Sequence, residues 1–199
     1  MPAAGPAGPA YRLDPLRSEL RILVYRTGPL ARFGHNHVLV SRDLAGEVRL
    51  VAPEALAGAA FEISLPVAGL AIDEQAARLE EGAEFATRPT AADIDGTRNT
   101  LLGARVLDAA TFPTIRARGT TELLPTGLAA RARFEVRGRE TELSVPLSVA
   151  VDGDTLTVSG RFSISQAALG LTPFSVALGT LSVRDELEVR FRIVALGAY

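Results

Sequence analysis

Apolar and polar side chains alternate along most of this chain with a period of two residues. The longest alternating stretch covers residues 143–151, where every second side chain is Leu or Val. Successive side chains of a strand point to opposite faces of a sheet, so each stretch predicts a strand with one dry and one wet face. This alternation indicates an antiparallel sheet, because strands of a parallel sheet are buried on both faces and apolar throughout. Similar stretches occupy residues 19–24, 61–65, 131–137, 156–164 and 186–193.

Turn-forming residues separate these stretches. Gly153 lies between two aspartates and predicts a tight hairpin between the two longest stripes. Gly138 predicts a second hairpin in the same way. Pro146 falls inside the 143–151 stretch and has no N–H to donate to a neighbouring strand, so it predicts a sheet edge or a bulge.

Two segments in the middle of the chain predict helices. Residues 73–81 begin with the capping residue Asp73 and end before Gly82, and residues 97–108 carry apolar side chains near helical spacing. Strands on both sides of one or two short helices favour an all-β fold, an antiparallel β-barrel of about eight strands, over alternating βαβ units. After a start rich in Pro and Gly the composition does not change. We therefore predict a single domain over residues 11–199, preceded by a disordered lead-in at residues 1–10.

Charge and composition exclude several classes of function. The 21 basic residues are all Arg and are balanced by 23 acidic residues, so no basic field exists to attract nucleic acid. The chain has no Lys for Schiff-base chemistry and no Cys for disulfides, thiolate nucleophiles or thiolate metal sites. No apolar stretch approaches the ~18 residues that a membrane-spanning helix needs. The first ten residues carry no secretory signal, which predicts a cytoplasmic protein, or a periplasmic one if a signal was trimmed.

The two histidines, His35 and His37, form the one candidate for polar chemistry. In an extended segment their side chains point to the same face, so together they could chelate a metal. A zinc site needs at least three protein ligands, and an aspartate such as Asp43, Asp93 or Asp95 would have to complete it. Two other interpretations stay open: a hydrogen-bonded polar pair near the barrel mouth, and contact with the polar head group of a ligand. No Gly-x-Ser-x-Gly motif accompanies them.

A barrel of about eight strands has an interior that is either filled by its own side chains or holds one ligand. The inward stripes here consist of Val, Leu, Ile and Phe and offer few polar groups. If they meet across the middle, they form a packed core. If they leave space, its occupant should be long, flexible and apolar.

Several segments, in order, resemble the YceI-like family of lipid-binding proteins. Residues 11–15 (Tyr-Arg-Leu-Asp-Pro) resemble the family's opening, residues 102–113 its helix and Asp-x-x-x-Phe-Pro element, and residues 134–141 a strand, Gly turn and return strand bearing Thr. Arg17 stands where the family usually has a His, and residues 96–99 occupy the place of its usual Arg-Asp-x-His-Leu motif. The resemblance implies a lipocalin-like barrel whose lumen binds polyisoprenoid chains, such as the tail of an isoprenoid quinone.

The stripes and the resemblance together predict a non-enzymatic carrier of a long apolar lipid, with no other cofactor and with homodimerisation left open. The connector at residues 166–174 is expected to close or gate the cavity. The alternative is a metal-dependent protein or enzyme that uses His35 and His37. The predicted ligand-binding residues are Leu20, Ile22, Val24, Phe33, His35, His37, Phe61, Ile63, Leu65, Phe134, Val136, Val145, Leu147, Phe162, Ile164, Leu171, Phe174 and Phe191.

Overall fold

The structure is a computed structural model and describes residues 8–197. Within that range the chain forms one antiparallel sheet of thirteen strands and two α-helices. The strands are β1 (Ala10–Leu13), β2 (Glu19–Thr27), β3 (His37–Ser41), β4 (Ala45–Arg49), β5 (Ala60–Pro66), β6 (Ala71–Ile72), β7 (Thr114–Leu124), β8 (Gly127–Val136), β9 (Arg139–Pro146), β10 (Ser148–Asp152), β11 (Thr155–Ser165), β12 (Ser175–Val176) and β13 (Leu181–Gly197). The helices are α1 (Gln75–Glu80) and α2 (Ala91–Leu102). The predicted antiparallel, mostly β fold is confirmed.

The predicted number of about eight strands was too low, because bends interrupt four long runs. Strands β1 and β2 both pair with β13. On their other edges, β1 pairs with β4 and β2 pairs with β3. Beyond these, β4 pairs with β5 and β3 pairs with β6. The 143–151 stripe divides at Pro146 into β9 and β10. The extra two-residue strand β12 pairs with the start of β13. Each bend changes the direction of the chain, so one long run forms two strands, each with its own ladder of hydrogen bonds.

The long strand β13 organises the sheet. One edge of β13 pairs with β2 and β1, and its other edge pairs with β11. From β1 the ladders continue through β4, β5, β7 and β8 to β9. Beyond Pro146 the chain enters β10, which pairs with β11, so this series of elements leads back to β13. Pro146 was predicted to mark an edge or a bulge, and β9 ends at this residue.

The two predicted hairpins are confirmed. Asp152 pairs with Thr155 around Gly153, and Val136 pairs with Arg139 around Gly138. Gly138 has a φ of 71°, a left-handed conformation in which Gly carries no steric penalty. These turns place β8, β9, β10 and β11 side by side along one wall of the lumen.

The helices agree with the sequence prediction in one case and differ in the other. Helix α1 lies inside the predicted segment 73–81. Helix α2 begins six residues before the predicted segment 97–108 and ends at Leu102, so residues 103–108 were wrongly assigned as helical. Its start is set by a capping box in which Thr90 and Asp93 bond each other's backbone N–H. Beyond the helix Asp108 adopts a φ of 48° and donates its N–H to Gly103 O, which turns the chain.

Helix α1 is held against the outside of the sheet. A small apolar cluster joins Ala77 of the helix to Leu23 and Val38 of the sheet, with Phe85 beside them. Around this cluster Glu81 forms ion pairs with Arg21 and Arg190. The helix therefore lies at a fixed position over β2 and β3.

The predicted lead-in at residues 1–10 falls mostly outside the described residues, which exclude residues 1–7. The O atom of Pro9 accepts a hydrogen bond from Leu50 N at 2.9 Å, and β1 begins at Ala10. Across residues 8–197 no helix is long and apolar enough to span a membrane.

Candidate ligand-binding cavity

The sheet encloses an inner chamber whose wall is almost wholly apolar. Its volume is about 190 Å³, and Ser64 and Thr121 are the only hydroxyl-bearing residues that line it among those described. Three phenylalanines pack together along one side: Phe134 stacks on Phe162 at 5.3 Å between ring centroids, and Phe162 meets Phe191 edge to face at 6.5 Å. The predicted residues that line this chamber are Leu20, Ile22, Phe61, Ile63, Leu65, Phe134, Val136, Val145, Leu147, Phe162, Ile164 and Phe191.

An outer chamber of about 490 Å³ adjoins the inner one and is more polar. Helix α2, the two residues Gly34 and His35 that follow the 3–10 turn at Ala31–Phe33, and the connector after β11 contribute to its wall. Its polar side chains are His35, His37, Asp93, Thr97, Thr100 and Gln166. Of the predicted residues, Val24, His35, His37, Leu171 and Phe174 line this chamber.

Five aliphatic side chains line both chambers and form a ring where the two meet. They are Ile22, Ile115, Val136, Leu169 and Leu187. A molecule that occupied both chambers would pass through this ring, with its apolar part in the inner chamber. Together the two chambers, of about 190 and 490 Å³, have a volume typical of ligand pockets, which is roughly 300–1,000 Å³.

His37 belongs to a buried polar network at the wall of the outer chamber. Its Nδ1 atom lies 2.7 Å from Oδ2 of Asp73, and Oδ1 of Asp73 accepts hydrogen bonds from Val38 N at 3.0 Å and from Arg78 Nη1 at 2.5 Å. The carboxylate favours the tautomer with the proton on Nδ1, which leaves Nε2 as the acceptor available to the chamber. Strand β3 and helix α1 thus hold the imidazole in one orientation.

The charge of Asp73 is stabilised although its side chain is fully buried. Burial alone would raise the pKa of Asp73, but the hydrogen bond from His37, the Val38 N–H and the charge of Arg78 outweigh it and lower the pKa below its ordinary value. Arg78 is itself buried and donates further to Asn36 O and Thr87 O. The network is therefore an ionised, hydrogen-bonded pair, which is the form in which buried charges are tolerated.

His35 is held more loosely. Its Nε2 atom lies 4.0 Å from Asp93 Oδ2, and its Nδ1 atom is buried without a hydrogen-bond partner in the described part of the chain. The Asp93 carboxylate is engaged in the helix cap, where hydrogen bonds from Thr90 lower its pKa. His35 therefore lines the outer chamber while its Nδ1 atom stays buried and unsatisfied behind that wall.

The two histidine rings lie side by side, with centroids 6.5 Å apart. Over residues 8–197 no group of three or more His, Cys, Asp or Glu side chains is placed to hold a metal ion. The described residues therefore supply no third ligand for the metal centre considered at His35 and His37.

One predicted site residue lies elsewhere. Phe33 lines neither chamber: its side chain is 65% exposed, on the 3–10 turn at Ala31–Phe33, with the Arg32 guanidinium 4.5 Å from its ring centroid. The expectation that Phe33 faces the lumen was wrong, because this turn lies outside the strand that carries His37 and does not continue its alternation.

Sequence reasoning also missed part of the wall. Helix α2 lines the outer chamber through Ala92, Asp93, Gly96, Thr97, Thr100 and Leu101. The capping box at Thr90 and Asp93 was the signal that could have located this helix. In the inner chamber the wall includes Val48 and Leu50, which lie at the end of the short strand β4. Their alternation is too short to stand out in the sequence.

Comparison with known proteins identifies relatives. The family model described as YceI-like domain matches residues 11–195. The solved structure of BcnA from Burkholderia cenocepacia has a TM-score of 0.66 at 16% identity, over 92% of this chain and 99% of that one. A polyisoprenoid binding domain from Saccharophagus degradans, implicated in plant cell wall breakdown, has a TM-score of 0.59 at 14% identity, over 94% of this chain and 98% of that one. The YceI protein of Campylobacter jejuni has a TM-score of 0.53 at 10% identity, over 79% and 82%. No curated protein sequence matches this chain.

Proposed function

Because this chain belongs to the YceI-like domain family, we propose that it is a non-enzymatic carrier that encloses a long apolar lipid, a polyisoprenoid or an isoprenoid quinone. The observation that carries the proposal is an apolar inner chamber that meets a polar outer chamber through a ring of aliphatic side chains. A molecule with a long apolar tail and one polar end matches that arrangement. The Saccharophagus degradans relative, described as polyisoprenoid binding, supports the choice of tail.

The inner chamber favours the tail on energetic grounds. An apolar cavity of this kind gives water few hydrogen-bond partners, so water does not compete well for it. Each methylene group that moves from water into such a space gains ~0.8 kcal/mol. A long chain therefore accumulates affinity without any specific polar contact, and binding needs no catalytic group.

The outer chamber favours an uncharged head group. His37 offers Nε2 as an acceptor, His35 lines the chamber, and the Thr97 and Thr100 side chains carry hydroxyl groups. Its described wall contains the carboxylate of Asp93 but no arginine. An anionic head group such as a phosphate would lie near the like charge of Asp93, whereas an alcohol could donate to His37 Nε2 and a quinone carbonyl could accept from the Thr97 or Thr100 hydroxyl.

The test is to identify and exchange the bound lipid. Protein purified from two different hosts is extracted with organic solvent, and the extract is analysed by mass spectrometry. Stripped protein is then offered a long-chain isoprenoid quinone, the corresponding polyprenyl phosphate and a fatty acid. We expect near-stoichiometric lipid after purification and preference for the quinone. Recovery of no apolar lipid from either host, together with no uptake by stripped protein, would overturn the proposal.

A matched pair of variants ties uptake to the inner chamber. Ala130 and Ala132 line that chamber, and Ala130→Phe with Ala132→Phe fills part of it. Ala150 lies exposed on β10, so Ala150→Phe makes the same change away from the chamber. We expect the double variant to lose uptake and the Ala150 variant to retain it, while both melt cooperatively. Equal uptake by all three proteins would place the lipid elsewhere.

A further inference from the structure

Two adjoining turns beside the outer chamber carry exposed apolar side chains. One turn follows β2 and carries Leu30 and Phe33, and the other joins β12 to β13 and carries Val176 and Leu178. Phe33 is 65% exposed and Leu178 is fully exposed, and Leu30 and Val176 are also exposed. We call these four side chains the rim patch.

The two turns form one surface. Leu30 N donates to Thr180 O at 2.8 Å, and the strands that lead into the turns are paired at Thr27 with Ser182 and at Val176 with Leu181. Gly34, which lies against Leu181, and Phe174 both line the outer chamber. The rim patch therefore lies directly beside the side chains that line the cavity.

Three guanidinium groups contact the rim patch or residues next to it. Arg32 lies 4.5 Å from the centroid of the Phe33 ring, Arg26 donates to Gly34 O, and Arg105 lies 5.9 Å from the centroid of the Phe174 ring. None of the three forms an ion pair with a carboxylate among residues 8–197. Arg12, Arg17 and Arg161 are exposed and likewise form no ion pair among the described residues, but they lie in β1, in the 3–10 turn after it and in β11.

We propose that the rim patch and its three arginines dock the protein on the surface of an anionic phospholipid bilayer. Exposed Phe and Leu side chains enter the boundary between head groups and acyl chains, while arginines bind the phosphates around them. Charge complementarity selects this occupant, because unpaired guanidinium groups around an apolar patch match the layered chemistry of such a surface. Docking in this way brings the outer chamber against the bilayer. The inference goes beyond the carrier proposal, since it requires no particular cargo.

Vesicle co-sedimentation tests the docking directly. Wild-type protein is mixed with vesicles of phosphatidylcholine alone, or of phosphatidylcholine with phosphatidylglycerol. We expect binding to the anionic vesicles at low salt and loss of most of it near 1 M NaCl, where the screening length falls to ~3 Å. Failure of the wild-type protein to bind anionic vesicles at low salt would overturn the proposal.

Two sets of variants test whether vesicle binding depends on the rim patch or is non-specific. Arg26→Gln, Arg32→Gln and Arg105→Gln together should weaken binding by about fivefold per arginine. Phe33→Ser with Leu178→Ser should weaken it further. The controls are Arg12→Gln, Arg17→Gln and Arg161→Gln, and Leu16→Ser with Leu123→Ser, which replace exposed residues away from the rim patch.

The outcomes separate the competing explanations. If the control variants lose as much vesicle binding as the rim variants, the proposal fails. If wild-type protein ignores vesicles but self-associates in light scattering, and Phe33→Ser with Leu178→Ser abolishes that association, the rim patch binds a second copy instead. Since Phe33 and Leu178 line neither chamber, the same double variant should still take up lipid from solution. Loss of vesicle binding with retained uptake therefore tests docking independently of the cargo.

Discussion

The Nδ1 atom of His37 lies 2.7 Å from Oδ2 of Asp73, and this contact joins the wall of the outer chamber to the buried base of helix α1. Asp73 adopts a φ of 55°, a left-handed conformation that Asp tolerates better than most residues. In that conformation its carboxylate bonds His37, the backbone of Val38 and Arg78 together. The orientation of the imidazole therefore depends on the integrity of the Asp73–Arg78 pair.

Replacing Asp73 tests how much this pair contributes to stability. We expect Asp73→Asn to lower the free energy of unfolding by about 3 kcal/mol at pH 7, because removal of one partner leaves the buried Arg78 guanidinium without a counter-charge. Urea denaturation of the two proteins measures the difference. Asp152→Asn, at the exposed end of β10, is the control and should change stability little.

The same pair predicts a pH dependence. The pKa of Asp73 in the folded protein lies below its ordinary value of 3.8, because the bonds from His37, Val38 and Arg78 outweigh the effect of burial. The stabilisation is therefore present above pH 3.8 and is lost as the pH falls through the folded pKa. We expect the stability gap between wild type and Asp73→Asn to narrow on acidification below that point. A gap that stays constant down to the acid unfolding transition would contradict an ionised Asp73.

His37 should contribute to recognition of the head group and leave binding of the tail unchanged. We expect His37→Ala to weaken binding of an isoprenoid alcohol by about five- to tenfold, the value of one hydrogen bond between neutral groups, with little effect on a hydrocarbon of similar length. Competition against a fluorescent lipid measures both affinities. His37→Gln should restore part of the loss, since its amide oxygen can accept from the hydroxyl of the alcohol. Equal losses for alcohol and hydrocarbon would indicate a disturbed cavity and no polar contact.

Much of this architecture could be predicted from local pattern. Alternation located the inward stripes such as Phe134 and Val136, because one residue of slippage would expose every apolar side chain of a strand. The interruption of the strand at Pro146 could also be predicted, because proline itself lacks the N–H that a ladder needs. These features depend on neighbours in sequence.

Features that depend on distant residues were not predictable in the same way. Asp73 lies 36 residues from His37, and no local pattern marks the two as partners. Phe33 was predicted to bind the ligand, but it lies in a 3–10 turn that leaves its side chain exposed. Helix α2 was placed too late because its apolar spacing is weak, whereas its Thr90–Asp93 cap fixes where it starts.

Narrowing the ring between the chambers should select ligands by tail length. Val136 is buried and lines both chambers, so Val136→Phe reduces the width of the passage between them. We expect a long-tailed quinone to lose more than tenfold in affinity, since each methylene excluded from the inner chamber forfeits ~0.8 kcal/mol. A quinone with a very short tail, which fits the outer chamber alone, should bind nearly as before.

Two further variants serve as controls for that interpretation. Val151→Phe, on the exposed side of β10, makes the same change outside the cavity and should alter neither affinity. Ile115→Phe narrows the ring from β7 and should reproduce the selectivity of Val136→Phe even if overpacking costs each ~1–3 kcal/mol of stability. Equal losses for long and short tails in both ring variants would mean that the chambers do not act in series.

One chemical change, Gly to Ala, should have opposite effects at two places in this fold. A Cβ at Gly160 would lie 2.7 Å from Phe191 Cζ and 2.7 Å from the backbone O of Pro146, so both the aromatic wall and the β9–β10 bend would have to shift. We expect Gly160→Ala to destabilise the protein by ~1–3 kcal/mol. A Cβ at Gly96, inside helix α2, meets nothing within 4 Å. There Ala should stabilise by up to ~1 kcal/mol, because it removes the entropic cost of Gly in a helix interior. Thermal and urea unfolding of both variants measure the two signs, and a destabilising Gly96→Ala would mean that α2 is not helical at that position in solution.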